Sequence, residues 1–249
     1  MTTLTAYATV AKDLAKWGTV TAQAPAVKTA VAGYQAGIAK VTGIEGFLSN
    51  RRVFAFAMAA YGLADKIDAK ALMRRVLEGG VDDPKALANT LNDPRILAFA
   101  KAFDFKGKGA AAVTSEAAAK GVVAAYVREA LEANQSANGE GVRLALYFAR
   151  KAPDIKNVYD VLADRSLLTV VQTALGISPM TSAQSVDRQA ANLKKALHLA
   201  DFSDPAKLRS FIDRFAARYD MNNAPAASAG AGIGVDLMVA LQGFRPGGV

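Results

Sequence analysis

Residues 47–63, FLSNRRVFAFAMAAYGL, have an ungapped echo at 161–177, VLADRSLLTVVQTALGI. Leu48 falls on Leu162, Asn50 on Asp164, Arg51 on Arg165 and Gly62 on Gly176. Each unit reads as a helix with both ends marked. Asn50 and Asp164 are residues whose side chains accept a backbone N–H at a helix start. The glycines suit the left-handed turn that ends a helix. Between these marks Leu167, Leu168, Val171, Ala174 and Leu175 recur at helical spacing and define one apolar face. The paired arginines are not explained by caps and stops. Each is expected to anchor a neighbouring carbonyl or carboxylate, and becomes a candidate for a binding surface if it has no such partner.

The same grammar extends outward. Val122, Val123, Tyr126, Val127, Ala130 and Leu131 repeat the helical spacing, and no sustained alternation marks a strand. The chain is therefore read as all-α. Asp83-Pro84 and Asp204-Pro205 each offer a cap followed by proline at the first helical position, where a missing N–H costs nothing. MRRVL at 73–77 pairs with LKKAL at 193–197, and DPKAL at 83–87 with DPAKL at 204–208. Their slightly wider spacing fits an insertion around 178–182. Two related helical halves result, 1–106 and 107–222, divided near Phe105-Lys-Gly-Lys-Gly109. Chance likeness between alanine-rich helices competes with duplication. The shared order of cap, arginine, glycine and Asp-Pro favours duplication.

Residues 223–249 read as a linker and a tail. APAASAGAG, 224–232, is small and flexible in composition. Beyond it Ile233, Leu237, Leu241 and Phe244 line one side of a short amphipathic helix, which is marginal alone in water. It folds against something: its own body, a second copy or a partner.

Composition narrows the chemistry. The 249 residues are 52% hydrophobic and 21% charged, which suits a folded chain with a sizeable core. With 30 Lys and Arg against 22 Asp and Glu, the net charge is +8, so acidic proteins, nucleic acid and anionic surfaces are the favoured partners. No cysteine is present, which excludes disulfides and thiolate-bound metal. The longest apolar run, 53–61, is too short to span a bilayer. The start, MTTLTAYATVAKDLAKWG, lacks the basic-then-apolar order of a Sec signal, so a cytoplasmic origin is expected.

The search for a reactive constellation yields bland readings. The lone histidine, His198, sits where an amphipathic helix is expected to end and has no nucleophile motif beside it. Gly230-x-Gly232-x-Gly234 lacks the strand and spacing of a dinucleotide loop, and the lysines at 106–109 lack Walker spacing, reading instead as a solvated turn. Asp83 and Asp93 each precede proline and are explained as caps. Arg51-Arg52 and Arg74-Arg75 lie in no nucleic-acid docking motif and read as solvated or ion-paired. No catalytic residue, cofactor or metal is assigned.

Three stretches together, 44–105, 141–177 and 186–221, resemble the domain of unknown function 1217 family. The combination of VRLALYFARKAP with LADRSLLTVVQTALG carries the likeness. Members of that family are often encoded among bacterial flagellar genes. The resemblance implies a flagellum-associated protein, with no established enzyme activity and no catalytic residues to carry over. It also makes export through a flagellar channel without a Sec signal compatible with this chain. A basic helical module for nucleic acid or another anionic surface is the competing expectation.

Overall fold

A computed structural model describes residues 1–223, and among these there are helices and turns but no strand. The helices are α1 Thr3–Ala11, α2 Leu14–Gln23, α3 Pro25–Ile38, α4 Ile44–Ser49, α5 Arg51–Ala60, α6 Lys70–Gly79, α7 Leu87–Thr90 and α8 Pro94–Ala102. They continue as α9 Phe105–Lys108, α10 Val122–Asn134, α11 Glu140–Lys151, α12 Val158–Ala163, α13 Arg165–Leu175, α14 Val186–Ala196 and α15 Pro205–Asn222. The tail residues Ile233, Leu237, Leu241 and Phe244 lie outside the described residues.

The two quoted units share one local design. Each is a six-residue helix, a single cap residue, a longer helix and a left-handed glycine. Asn50 Oδ1 accepts from Val53 N at 3.2 Å, and Asp164 Oδ1 accepts from Ser166 N at 2.9 Å. Gly62 and Gly176 have φ of +70° and +71°. The following amides reach back five residues, Leu63 N to Met58 O and Ile177 N to Gln172 O, both at 2.8 Å, which satisfies carbonyls the helix end would leave bare. This likeness follows from the cap and stop residues themselves and does not by itself require a duplication.

Apolar side chains gather in two cores. The first is aromatic: Phe47 lies 4.6 Å from Phe103 between ring centroids, and Phe56 stacks on Tyr34 at 4.5 Å and Tyr126 at 4.0 Å. The second is built round a triangle of Phe148, Phe202 and Phe211, with centroids 5.1–5.3 Å apart. The cores do not follow the division read at 106. Ala6, Tyr7 and Val10 of α1 belong to the second core, while Ala112, Val113, Ala118 and Val122 belong to the first. Asp220 near the end of α15 accepts from Thr3 N at 2.9 Å, fixing α1 there. Helix α10 joins both cores, through Val122 at one end and Leu131 at the other.

Two sequence readings change. Asp83-Pro84 opens a turn rather than a helix: Asn89 Nδ2 donates to Val81 O and Asp83 O at 2.9 and 2.8 Å, and helix begins only at Leu87. The segment read as a solvated turn at 106–109 is exposed as expected, but Phe105–Lys108 is a short helix anchored at both its first residues. Phe105 is buried in the first core, and Lys106 packs on Gly80 and donates to Gly79 O at 3.2 Å.

Candidate functional site

The most elaborate polar construction joins α8 to the start of α13. Asp93 caps α8 by accepting from Arg95 N at 3.0 Å, and Pro94 fills the first helical position. The same carboxylate grips its neighbour's guanidinium, taking Arg95 Nε at 3.1 Å and Nη2 at 2.9 Å. Arg95 Nη1 donates to Gly62 O at 3.0 Å and Nη2 to Ala163 O at 3.4 Å. Its Nε also lies 3.7 Å from Asp164 Oδ2, an oxygen that accepts from the Tyr147 hydroxyl. Arg95 therefore ties the glycine stop of the first unit to the cap of the second. Burial disfavours its cation, yet the hydrogen bond and charge of Asp93, joined by Asp164, outweigh that and raise its pKa.

A second network lies between α10 and α11. Glu132, fully buried, takes both Arg150 Nε and Nη2 at 2.7 Å and Arg128 Nε at 2.9 Å. Arg150 also pairs with Glu129 and stacks over the Tyr147 ring at 5.1 Å from its centroid. Burial pushes the Glu129 carboxyl above the usual range, against the pull of Arg150.

Beside the first network opens a cleft of about 500 Å³. One wall is the α7–α8 turn and the face of α8 with Leu97 and Lys101; the other runs from Lys151 through Ile155 to Leu167. This volume falls within the range of ligand-binding clefts. Most of its carboxylates are occupied: Asp93 and Asp164 as above, and Asp160 by the amides of Lys156 and Asn157 at 2.8 and 3.1 Å. Its lysines are not. Lys101, Lys151 and Lys156 make no side-chain hydrogen bond or ion pair among the described residues. Lys101 and Lys156 are exposed, while Lys151 is half-buried. Burial, and then the Arg150 charge, hold the Lys151 ammonium below the usual lysine range, against Glu129, Asp164 and Asp154. A second hollow, lined by Leu168, Gln172 and Ile177, holds about 20 Å³, room for a water.

The residues singled out from sequence are distributed differently. Asn50 and Asp164 cap helices as read. Arg51 and Arg165 were expected to hold a carbonyl or carboxylate; both are exposed and neither has a side-chain partner among the described residues. The first turn of each helix points its arginine outward while the cap is satisfied by the side chain before it. His198 is exposed just past the end of α14. No cluster of three or more His, Cys, Asp or Glu is placed to hold a metal ion among the described residues. Sequence reading missed Arg95 and Lys151. Arg95 had a local signal, standing two places after a capping aspartate; Lys151 had none, because its environment comes from distant segments.

The family model for DUF1217, described as a protein of unknown function, matches residues 60–208. The chain belongs to the DUF1217 family. The matched span begins at the end of α5, runs into α15, and includes Gly62, Arg95, Lys151 and Asp164. The DUF1217 chain is also similar to a protein of Agrobacterium tumefaciens known from an X-ray crystal structure. The two share 39% identity, with 89% of this chain and 94% of that one covered and a TM-score of 0.79. No curated protein matches the chain. No helix among the described residues is long and apolar enough to cross a membrane.

Proposed function

We propose that this protein is a non-enzymatic flagellum-associated protein, working in assembly, export or structure through protein–protein contacts. The observation that carries the contact reading is the cleft beside Arg95. It is about 500 Å³, mixes apolar side chains with charged ones of both signs, and sits on a framework fixed by the Asp93–Arg95–Asp164 network. Rigid elements with side chains held in place make precise binding surfaces. The flagellar setting rests on the family resemblance. The protein is made in the cytoplasm in this reading, and its working place is there or at the flagellum. Deleting the gene is expected to alter swimming or filament assembly; normal swimming with normal filaments contradicts the proposal.

The competing reading is a module for nucleic acid or another anionic surface. Arg51 and Arg165, exposed and without a side-chain partner among the described residues, favour it, with the net charge of +8. It requires binding to DNA or RNA that weakens steeply with salt. No retention on nucleic acid at low salt excludes it.

A further inference from the structure

We propose that the two cores are lobes that open and close about α10, and that Arg95 is the latch that holds the cleft between them shut through Ala163 O and Asp164. The inference concerns how the cleft opens and stands whatever occupies it.

The division of the packing carries the argument. Helices α3–α9 build the first core, α1 and α11–α15 the second, and no helix of one set packs extensively on a helix of the other. The chain passes between the sets only in α2 and in α10, and these two helices pack on each other. The cleft lies between the sets: Ala88 and Leu97 on one wall belong with the first core, Ile155 and Leu167 on the other with the second. A single polar bridge crosses it. Among the described residues, Arg95 makes the only side-chain hydrogen bond and the only ion pair that join the first set of helices directly to the second, at 3.4 Å to Ala163 O and 3.7 Å to Asp164 Oδ2. These are the longest of its polar contacts; the shorter ones, to Asp93 and Gly62 O, stay within the first lobe. Asp164 likewise keeps the Tyr147 hydroxyl and the amides of Ser166 and Leu167 within the second. Opening therefore leaves a partner with each charge, and the penalty of a buried unpaired ion is avoided on both sides. Lobes that meet through a small polar contact rather than a broad apolar one are free to move, and closure over a cleft is a recurring form of that motion. The framework around Arg95 is the closed arrangement.

The sequence has no cysteine, so spin labels attach only at cysteines introduced for them. One pair, Lys101→Cys with Lys156→Cys, spans the cleft at exposed positions on opposite walls. A second pair, Lys28→Cys with Arg75→Cys, lies at exposed positions on α3 and α6, within the first lobe. Pulsed electron–electron double resonance on the full chain reads both distances. Adding Arg95→Met is expected to broaden the spanning distance and shift it outward by more than about 2 Å, the scale of a domain rearrangement. The distance within the lobe is expected to stay unchanged. Asp164→Asn keeps an oxygen to cap α13 and removes the charge facing Arg95, and is expected to shift the spanning distance the same way by a smaller amount. A folded Arg95→Met protein with an unchanged spanning distance overturns the latch. So does equal broadening of both pairs, which makes Arg95 a support of the whole fold. If Arg95→Met does not fold, Asp164→Asn decides alone, and an unchanged spanning distance there overturns the proposal.

Discussion

Arg95, on the helix that Asp93 caps, places its Nε 3.7 Å from Oδ2 of Asp164, the residue that caps α13. Both side chains are about nine-tenths buried or more, so neither charge has water to fall back on. Arg95→Met keeps the stem but leaves Asp93 and Asp164 as buried anions. Breaking a buried pair this way costs about 3–5 kcal/mol. In a chain of this size that lowers the melting temperature on the order of 10 °C. The double variant Arg95→Met with Asp164→Asn should lose less than the two single losses combined, since the residues share one network. Chemical denaturation of the four proteins checks both statements.

Two helical glycines should respond to alanine with opposite signs. Gly37 on α3 is where α5 crosses closely: a Cβ there meets Val53 Cγ2 at 2.5 Å and Asn50 Nδ2 at 3.5 Å. Val53 is fully buried and β-branched, so it has little room to yield. Gly37→Ala is expected to destabilise by about 1–3 kcal/mol through overpacking. Gly18 on α2 has nothing within 4 Å of its Cβ position. Gly18→Ala is expected to stabilise by about 0.5–1 kcal/mol, because alanine loses less backbone freedom in a helix. Parallel urea titrations decide the signs.

The helices were legible because their signals are local. Asn50, Asp93, Asp164 and Asp204 each cap the helix that follows, and Gly62 and Gly176 each turn left-handed after it, all within a few residues. Asp83 shows how far this goes. The cap-and-proline pair is present, but Asn89 draws the chain into a turn first. The membership of the cores was not legible. Nothing in α1 announces that it closes the second core rather than the first, because that depends on Thr3 meeting Asp220 at the far end of the described chain. The site was half legible for the same reason. Asp164 and Asp93 were recognised as caps, but their common cation, Arg95, and the partial burial of Lys151 arise from pairings between distant segments.

Alkaline pH should unfold the protein through its buried tyrosines. Tyr34 is fully buried and its hydroxyl donates to Ala118 O at 2.7 Å. Burial raises its pKa, and the nearby Tyr61 adds to this. Burial pushes Tyr61 up to about 12. Tyr147 is raised by burial and then by the charge of Asp164, to which it donates. A raised folded-state pKa gives stability that is complete below the ordinary tyrosine value of about 10 and is lost as pH climbs towards the folded value. Ultraviolet absorbance of tyrosinate should therefore have a component that rises together with loss of helical circular dichroism, above pH ~10. Full tyrosine ionisation with helicity intact contradicts this.

Arg51 and Arg165 should be dispensable for folding. Each is exposed and makes no side-chain hydrogen bond or ion pair among the described residues, so the double variant Arg51→Ala, Arg165→Ala is expected to unfold within about 0.5 kcal/mol of the native protein. A larger loss in denaturant titration means that each anchors its unit after all.

The central claim is that the protein acts through the cleft beside Arg95, and complementation with Lys151→Glu tests it most directly. The substitution inverts the charge of a side chain that lines the cleft and makes no ion pair among the described residues. In a deletion strain, the variant should accumulate to native levels, remain helical, and fail to restore swimming to the extent the native gene does. Full restoration of swimming by a stably expressed Lys151→Glu protein would contradict the account.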